Sequence, residues 1–431
     1  MVRRAGGRSQ SRFDHPVEEE LLRAEEAAAL LGVKRATLYT YVSRGLVRCV
    51  PEKGTKENRY LRADVERLKT RHDARAGHAA VASGALRWGE PVIDSSVSRI
   101  SEEGLSYRGH DAVELATQGH RFEDVAELLW TGHLPRESTA WPAPEAPQSS
   151  LTPTALAAML PRDTPPLSSL AALVPLLAAS DAGRFAAPVE QDMLRARRII
   201  RHLGAWVCVA QAPGRVSRAL KEPTVAASLA TAWDAKQKRA AELINLALVL
   251  CADHELNTST FAARVTASSG ADLYACISAA LAAISGHRHG GACDRVEALI
   301  AEVGRPERAA QVVHGRLRRG EAVTGFGHRL YLKGDPRTPP LVAAALSVKP
   351  ESLKVRVARA VMDTMRDAGH PPPSLDWGLV MLADALGLPS GAATVLFSLG
   401  RTAGWVAHVL EQREQGHLLR PRARYVEAPA R

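Results

Sequence analysis

Apolar positions near the N-terminus predict two short helices joined by a tight turn. The first helix is predicted from apolar residues at helical spacing, namely Leu21, Leu22, Ala27, Ala28, Leu30 and Leu31. Gly32 interrupts this pattern, and KRATLYTYVSRG predicts a second helix directly after it. A hairpin around Lys53–Asn58 and a third helix from Asp64 are predicted next. The order of helix, turn and helix is typical of a helix-turn-helix domain, here over residues 17–71.

The rest of the chain is predicted to form a mostly α-helical body. WGEPVIDSSVSRISEEGLSYRGHDAVELA predicts short strands and turns, and RFEDVAELLWTGHLP predicts an amphipathic helix that ends at Gly132. Prolines between 135 and 166 predict a short helix between loops, and Ala/Leu-rich helices follow to the end. We therefore expect a disordered tail at 1–16, a linker of small residues at 72–87 and one body at 88–431.

Composition narrows the class of protein. A chain of 431 residues is too long for one small core, and 46% hydrophobic with only 5% aromatic residues favours packed helices. No apolar run approaches the roughly 18 residues that span a bilayer, and the basic start MVRRAGGRSQSR lacks the apolar core of a secretory signal. The five cysteines have no paired close spacing, which indicates reduced thiols and a cytoplasmic protein.

Positive charge is concentrated at the N-terminus. The whole chain carries +10, and residues 1–80 contain 17 Lys and Arg against 11 Asp and Glu, hence +6. Such a segment is suited to a polyanion, and a merely soluble basic surface is the alternative.

Three consecutive ionisable residues mark the end of an apolar helix. The predicted helix AELINLALVL runs into CADHELNTSTF, which contains Asp253, His254 and Glu255. Successive helical residues point about 100° apart, so the three cannot share one solvated face. At least one is expected to face inward, where an ionisable group without a partner is costly. The segment is therefore a candidate site, with a hydrogen-bonded core histidine as the alternative.

Further polar residues interrupt apolar segments downstream. His289 precedes a Gly-Gly pair and a new helix, where free backbone N–H groups suit an anion. His328 follows Gly-Phe-Gly, Asp376 stands in N-cap position before an apolar helix, and Arg401 lies inside another apolar helix. Taken singly, these could be a turn histidine, a helix cap and a snorkelling arginine. A metal site is disfavoured because no CxxC or HExxH pattern accompanies the histidines.

The candidate residues lie in segments that follow one another as they do in a known enzyme family. The segments are YRGHDAVELA, FEDVAELLWTGHLP, ADHELNTSTFAARVTASSGADLYACISAALAAISG, HGGA, GFGHRLYLKGDPR, DWGLVMLADALGLP and GRTAGWVAH. Through them the chain resembles citrate synthases, including 2-methylcitrate synthases, from about Tyr107 to Tyr425. The resemblance implies a helical fold with a large lobe at about 88–290 and 378–431 and a small lobe at about 291–377. It also implies a site in the cleft and a homodimer with sites built partly across the interface.

The resemblance further implies a reaction and a role for each residue. Citrate synthases remove a proton from the methyl of acetyl-CoA, add the enol to the ketone of oxaloacetate and hydrolyse the thioester. Asp376 matches the base, His289 the histidine that hydrogen-bonds the thioester oxygen, and His328 the histidine that polarises the ketone. Oxaloacetate ligands are matched by His254, Arg337, Arg401 and Arg420, the last as a residue given to the neighbouring chain. Acetyl-CoA is a substrate, and no metal or redox cofactor is implied.

Departures from the family pattern lie beside these positions. Cys293 stands where the family usually has Asn, and Cys251 where it often has His. Gly-His-Arg at 286–288 replaces the usual Gly-Pro-Leu, and Leu332 replaces a common lysine. All of them flank the pocket and bear on substrate choice and rate, so 2-methylcitrate synthase activity with propionyl-CoA is an alternative.

The N-terminal domain resembles a second family. LYTYVSRGLV and RYLRADVERL are similar to the winged helix-turn-helix of the MerR and excisionase type. The resemblance implies that the second helix enters the major groove with Lys34, Arg35, Thr37 and Tyr41 near DNA, and that phosphates are contacted by Arg44, Arg48 and Arg59. A DNA-binding regulator with a metabolite-sensing body is thus a third interpretation. Retention of all the principal site residues argues against it, and a protein with both functions is a further alternative.

Overall fold

The computed structural model describes most of the chain in two compact units, Met1–Asp94 and Ser95–Arg431. The described residues are 21–43, 46–51, 58–62, 64–66, 68–69, 93–101, 104–138, 140–144, 151–185, 188–423 and 425. The predicted tail at 1–16, the predicted linker at 72–87 and the hairpin tip at 52–57 lie outside them, as does Arg44.

The N-terminal unit combines a helix-turn-helix with a three-stranded sheet. Its elements are β1 (Leu21–Leu22), α1 (Ala24–Leu31), α2 (Arg35–Ser43), β2 (Cys49–Pro51) and β3 (Asn58–Leu61), and residues 64–66 and 68–69 are helical. The strand order is β1-β3-β2, and both pairs are antiparallel. Its core contains Leu22, Ala27, Ala28, Leu31, Leu38, Val47, Tyr60 and Val65.

Two predictions for this unit have opposite outcomes. Gly32 ends α1 with a φ of 65°, a left-handed conformation that glycine adopts without strain, so the predicted turn is confirmed. The prediction that Leu21 and Leu22 begin the first helix was wrong, because they form β1 and pair with β3. The helix starts later because Arg23 has an extended backbone and its N–H is taken by the Glu26 side chain at 2.7 Å.

The C-terminal unit begins with a small antiparallel sheet and continues as helices. The strands are β4 (Ser98–Ser101), β5 (Gly104–Tyr107) and β6 (His110–Asp111), paired in that order. The helices are α3 (Ala112–Thr117), α4 (Phe122–Thr131), α5 (Pro153–Met159), α6 (Pro166–Ala179), α7 (Val189–Trp206), α8 (Val216–Ala219), α9 (Val225–Ala232), α10 (Ala240–Leu250), α11 (Thr258–Ser268), α12 (Leu273–Ile284), α13 (Ala292–Val303), α14 (Ala309–Arg318), α15 (Thr338–Val348), α16 (Leu353–Asp367), α17 (Leu375–Ala385) and α18 (Ala392–Gln415). The predicted mostly helical body is therefore confirmed.

Helix α18 forms the centre of this unit. It is 24 residues long and buried over nearly its whole length, because apolar or small residues occupy all of its faces. It packs against α4, α10, α11, α12 and α17. This arrangement brings the middle of α18 to the end of α10, where the sequence places its cluster of ionisable residues. Within the described ranges, no helix has both the length and the apolarity needed to cross a bilayer.

Candidate active site

The three ionisable residues after α10 each find a different partner. Asp253 is fully buried, accepts a hydrogen bond from the Ser98 hydroxyl and lies 3.4 Å from His408 Nε2. His254 is 8% exposed, and its Nε2 lies 3.0 Å from the Tyr331 hydroxyl. Glu255 is half-buried and accepts a hydrogen bond from a backbone N–H of β4 at 3.0 Å. The burial expected from the sequence is therefore observed for Asp253 and His254.

His254 is held in its neutral form. Burial lowers the pKa of His254 well below its ordinary value, and the nearby charges of Arg337 and Arg401 lower it further. A neutral imidazole is a directional hydrogen-bond partner, so the positive charge at this place comes from the two guanidinium groups.

The loop between α14 and α15 supplies a second histidine and a tyrosine to the same place. The rings of His254 and His328 are 5.5 Å apart, and the rings of His328 and Tyr331 are 4.9 Å apart. The Arg337 guanidinium carbon lies 5.8 Å from the Tyr331 ring. Burial also lowers the pKa of His328, and the charge of Arg337 acts in the same direction.

Arg337 is a buried cation with a dedicated carboxylate partner. Its Nε and Nη2 donate to the two oxygens of Asp335 at 2.9 and 2.6 Å, and both residues are 3% exposed. Burial opposes the charge of Arg337, but the Asp335 carboxylate outweighs burial and raises the pKa of Arg337. Arg337 Nη1 has no partner among the described residues. The group therefore keeps its charge and one unused donor.

Arg401 brings α18 into the cluster. Its side chain is 1% exposed, and Nε donates to Cys251 O at 2.9 Å. Its guanidinium carbon lies 5.0 Å from the Phe397 ring, which is in turn 5.9 Å from the His289 ring. Burial lowers the pKa of Arg401, and the nearby charge of Arg337 does the same.

His289 lies on the turn that enters α13. Its Nε2 is 2.8 Å from Ser259 Oγ, which also accepts a hydrogen bond from Trp405 Nε1 at 3.1 Å. Burial lowers the pKa of His289 to about 4, with Arg401 as the second cause. The ring is therefore neutral near pH 7 and is fixed by residues of α11 and α18.

Asp376 lies at the start of α17, half-buried. The prediction that it caps this helix was wrong, because Ser374 is the N-cap residue and Asp376 is the second residue of the helix. Freed from capping, its carboxylate accepts hydrogen bonds from Cys293 Sγ at 3.3 Å and Ser374 Oγ at 2.7 Å. Its charge raises the pKa of His328, which connects it to the cluster.

Six of the seven residues proposed from the sequence therefore belong to one electrostatically connected group. The exception is Arg420, which follows α18 in an exposed position. Among the described residues, no hydrogen bond or ion pair joins it to the other six. Nor do the described residues include a group of three or more His, Cys, Asp or Glu able to hold a metal ion.

Sequence reasoning missed four contributors to this site. Tyr331, Asp335, Ser259 and Phe397 contact or orient the candidate histidines and arginines. Tyr331 and Asp335 stand in the polar loop between His328 and Arg337, where a lone aromatic residue could have been a signal. Ser259 and Phe397 read as ordinary helix residues and carry no such signal.

The candidate DNA-binding residues of the N-terminal unit differ in exposure. Lys34 and Arg35 are exposed, but Thr37 is half-buried and Tyr41 packs against the core of the unit. The outward face of α2 instead carries Tyr39, 51% exposed. Arg48 Nε donates to the buried Asp64 at 2.8 Å, and Arg59 is half-buried in β3. DNA contact by these residues stays a prediction.

Comparison with known proteins identifies both units. Residues 85–422 match the family described as citrate synthase, C-terminal domain, and residues 21–73 match a helix-turn-helix domain family. Citrate synthase 2 of Bacillus subtilis is 31% identical over 78% of this chain and 94% of its own length. The putative citrate synthase 2 of Mycobacterium tuberculosis is 36% identical over 75% of this chain and 86% of its own. The 2-methylcitrate synthase 2 of Corynebacterium glutamicum is 30% identical over 77% and 91%.

Solved structures agree with these relatives. The ternary complex of Thermoplasma acidophilum citrate synthase with carboxymethyl coenzyme A and oxaloacetate is 28% identical, with a TM-score of 0.68 over 79% of this chain and 95% of that one. Together with the family match over most of the sequence, this shows that the chain belongs to the citrate synthase family, whose members are condensing acyltransferases, and carries a helix-turn-helix domain in front of the enzyme body.

Proposed function

We propose that this protein condenses acetyl-CoA with oxaloacetate and water to give citrate and CoA. The observation that carries the proposal is the pair of buried guanidinium groups, Arg337 and Arg401, beside the neutral ring of His254. Two buried cations suit a small dicarboxylate, because guanidinium N–H groups that the protein leaves unused can donate charge-assisted hydrogen bonds to its carboxylates. The unused Nη1 of Arg337 supports this role.

The proposed chemistry divides proton transfer from charge stabilisation. Asp376 takes a proton from the acetyl methyl, and the electron pair moves to the thioester oxygen, which receives a hydrogen bond from His289. The resulting enolate, held by this hydrogen bond, then attacks the ketone carbon of oxaloacetate and forms the new carbon–carbon bond, while the ketone oxygen takes a proton from His328. The lowered pKa values of both histidines support their acting as neutral donors. Water finally cleaves the thioester and releases CoA.

A thiol-release assay tests the proposal directly. Purified protein is given acetyl-CoA and oxaloacetate, and free CoA is followed with a thiol reagent while each substrate is omitted in turn. We expect CoA release only when both substrates are present, with citrate in equal amount. Release without oxaloacetate would indicate a simple thioesterase, and no release at all would reject the proposal.

Propionyl-CoA is the alternative acyl donor. The similarity of this chain to the 2-methylcitrate synthase 2 of Corynebacterium glutamicum supports this alternative donor. One additional methylene changes binding by only about 1–3 kcal/mol, so the same residues serve both reactions. The ratio of kcat/KM for acetyl-CoA and propionyl-CoA distinguishes the two; a ratio that favours propionyl-CoA would reassign the substrate.

We also propose that the active unit is a homodimer in which Arg420 completes the neighbouring site. Arg420 is exposed, and among the described residues no hydrogen bond or ion pair joins it to the other six, which supports this arrangement. Mixing inactive Arg420→Ala and Asp376→Ala proteins should restore part of the activity, because mixed dimers contain one intact site. No recovery after confirmed subunit exchange would reject a shared site.

The helix-turn-helix domain supports a second function in DNA binding. Exposed Lys34, directly before α2, and exposed Arg35, its first residue, are consistent with phosphate or base contacts. A gel-shift series with genomic fragments at several salt concentrations tests it, because non-specific phosphate binding falls steeply with salt. A shift that is equal for all fragments and disappears at moderate salt would argue against a specific site.

A further inference from the structure

The residue beside the proposed base departs from the usual family residue. Cys293 stands where citrate synthases usually have Asn, and its Sγ lies 3.3 Å from Asp376 Oδ1. The other carboxylate oxygen, Oδ2, accepts a hydrogen bond from Ser374 Oγ at 2.7 Å. The Asp376 carboxylate is therefore contacted from two sides by two different elements, the start of α13 and the N-cap of α17.

Cys293 is suited to donate a hydrogen bond and unsuited to act as a nucleophile. Its side chain is fully buried, which raises the pKa of its thiol well above the ordinary value, and the Asp376 carboxylate raises it further. The group is therefore a neutral thiol, and a neutral thiol is a much poorer nucleophile than a thiolate. The S–H group can still donate to the carboxylate, although sulfur is a weak donor.

The turn before α13 fixes Cys293 relative to His289. A Cβ on Gly290 would collide with the backbone oxygen of Ile284, and a Cβ on Gly291 would lie 3.0 Å from the backbone of the preceding turn. Two glycines thus allow a compact turn in which His289 and Cys293 are only four residues apart. The same segment therefore carries His289, whose ring is proposed to bind the thioester oxygen, and Cys293, whose thiol contacts the Asp376 carboxylate.

We propose that Cys293 is a positioning residue for Asp376: its S–H holds Oδ1 while Ser374 holds Oδ2, which fixes the carboxylate for proton removal from the acyl methyl. This inference rests on the proposed function. A reacting pair must be held close to its reactive geometry, and a shift of about 1 Å lowers the rate about 100-fold. A weak donor at Oδ1 gives this orientation while leaving the negative charge available for the proton.

Two variants of matched size test the role of the S–H group. Cys293→Ala removes the donor, and Cys293→Ser removes the sulfur but keeps a donor. The control is Cys276→Ala in α12, because Cys276 is also fully buried and its Sγ lies 3.9 Å from Ala271 O, away from the site. Oxaloacetate-binding sites are counted by calorimetric titration, and kcat is expressed per binding site. Rates are measured with acetyl-CoA and with methyl-deuterated acetyl-CoA.

We expect Cys293→Ala to lower kcat per binding site about tenfold, with KM values within about twofold of wild type. Its isotope effect should be at least as large as that of the wild type. Cys293→Ser should recover most of the loss, and Cys276→Ala should match wild type. The inference is overturned if Cys293→Ala keeps kcat within twofold, if Cys293→Ser is as slow as Cys293→Ala, or if the isotope effect shrinks. Binding sites lost in parallel with activity would also overturn it, by showing a packing role alone. If wild-type protein releases no CoA from the two substrates, the proposed function itself fails.

Discussion

Replacing Gly404 with alanine is expected to destabilise the enzyme body, although alanine is normally the better helix residue. A Cβ on Gly404 would lie 2.6 Å from Ala252 O and 2.8 Å from Asp253 Cβ, and closer still to Asp253 Oδ1. The Gly404 N–H also donates to Ala252 O at 2.9 Å. Helix α18, which contains Gly404, therefore cannot move away from the end of α10 without losing this hydrogen bond.

The expected magnitude follows from two opposing terms. Alanine in place of glycine in a helix interior gains about 0.5–1 kcal/mol. Overpacking a rigid contact costs about 1–3 kcal/mol, and here the opposing atoms are backbone and a buried carboxylate. We expect a net loss of about 1–2 kcal/mol in the free energy of unfolding. Gly315→Ala in α14 is the matched control, because its Cβ would meet only Arg319 Nη1 at 3.5 Å. That variant should be more stable than wild type by about 0.5–1 kcal/mol.

Thermal unfolding of the two variants tests whether their changes in stability have opposite signs. Calorimetric titration with oxaloacetate adds a functional readout, because Asp253 directly precedes His254 in the site. Gly404→Ala should melt below wild type and bind oxaloacetate more weakly, and Gly315→Ala should melt above it with unchanged binding. If Gly404→Ala melts at or above the wild-type temperature, the close approach of α18 and α10 is not a constraint and the reasoning is refuted.

Three further variants probe buried charge. Arg337→Ala should lose about 3–5 kcal/mol of stability in urea unfolding, because it leaves the Asp335 carboxylate buried without its partner; wild-type stability would contradict this pairing. Burial lowers the pKa of His202 to about 4, so between about pH 6.5 and 4 the unfolded state binds a proton that the folded state does not. Stability is therefore expected to fall with decreasing pH in this window. In His202→Gln the melting temperature should depend less steeply on pH, and an unchanged slope would exclude His202 as a cause. Arg48→Ala should destabilise the N-terminal unit by about 1 kcal/mol, because the buried Asp64 loses a charged donor, and a melt of this unit that does not change would show that the ion pair contributes nothing.

Local patterns in the sequence predicted the parts of the fold that depend on neighbouring residues. The turn at Gly32 and the end of α4 at Gly132 are confirmed because a glycine with positive φ stops a helix whatever packs around it. The strand β1 was not predictable in this way, because Leu21 and Leu22 are extended only through pairing with β3, some forty residues away. Likewise, Asp376 looked like a helix cap because only the fold shows that Ser374 already occupies that position.

The sequence by itself determined which residue types are available for chemistry and in what order they occur, and it indicated that His254 lies beside a buried helix end. Only the tertiary structure decided which of them meet. It joined Arg337 to Asp335 and Tyr331, placed Ser259 beside His289 and the Cys293 thiol beside Asp376, and left Arg420 exposed. The physical reason is that a hydrogen bond or a pKa shift depends on distances of a few ångströms and on exclusion of water. Both are set by packing between segments that are far apart along the chain.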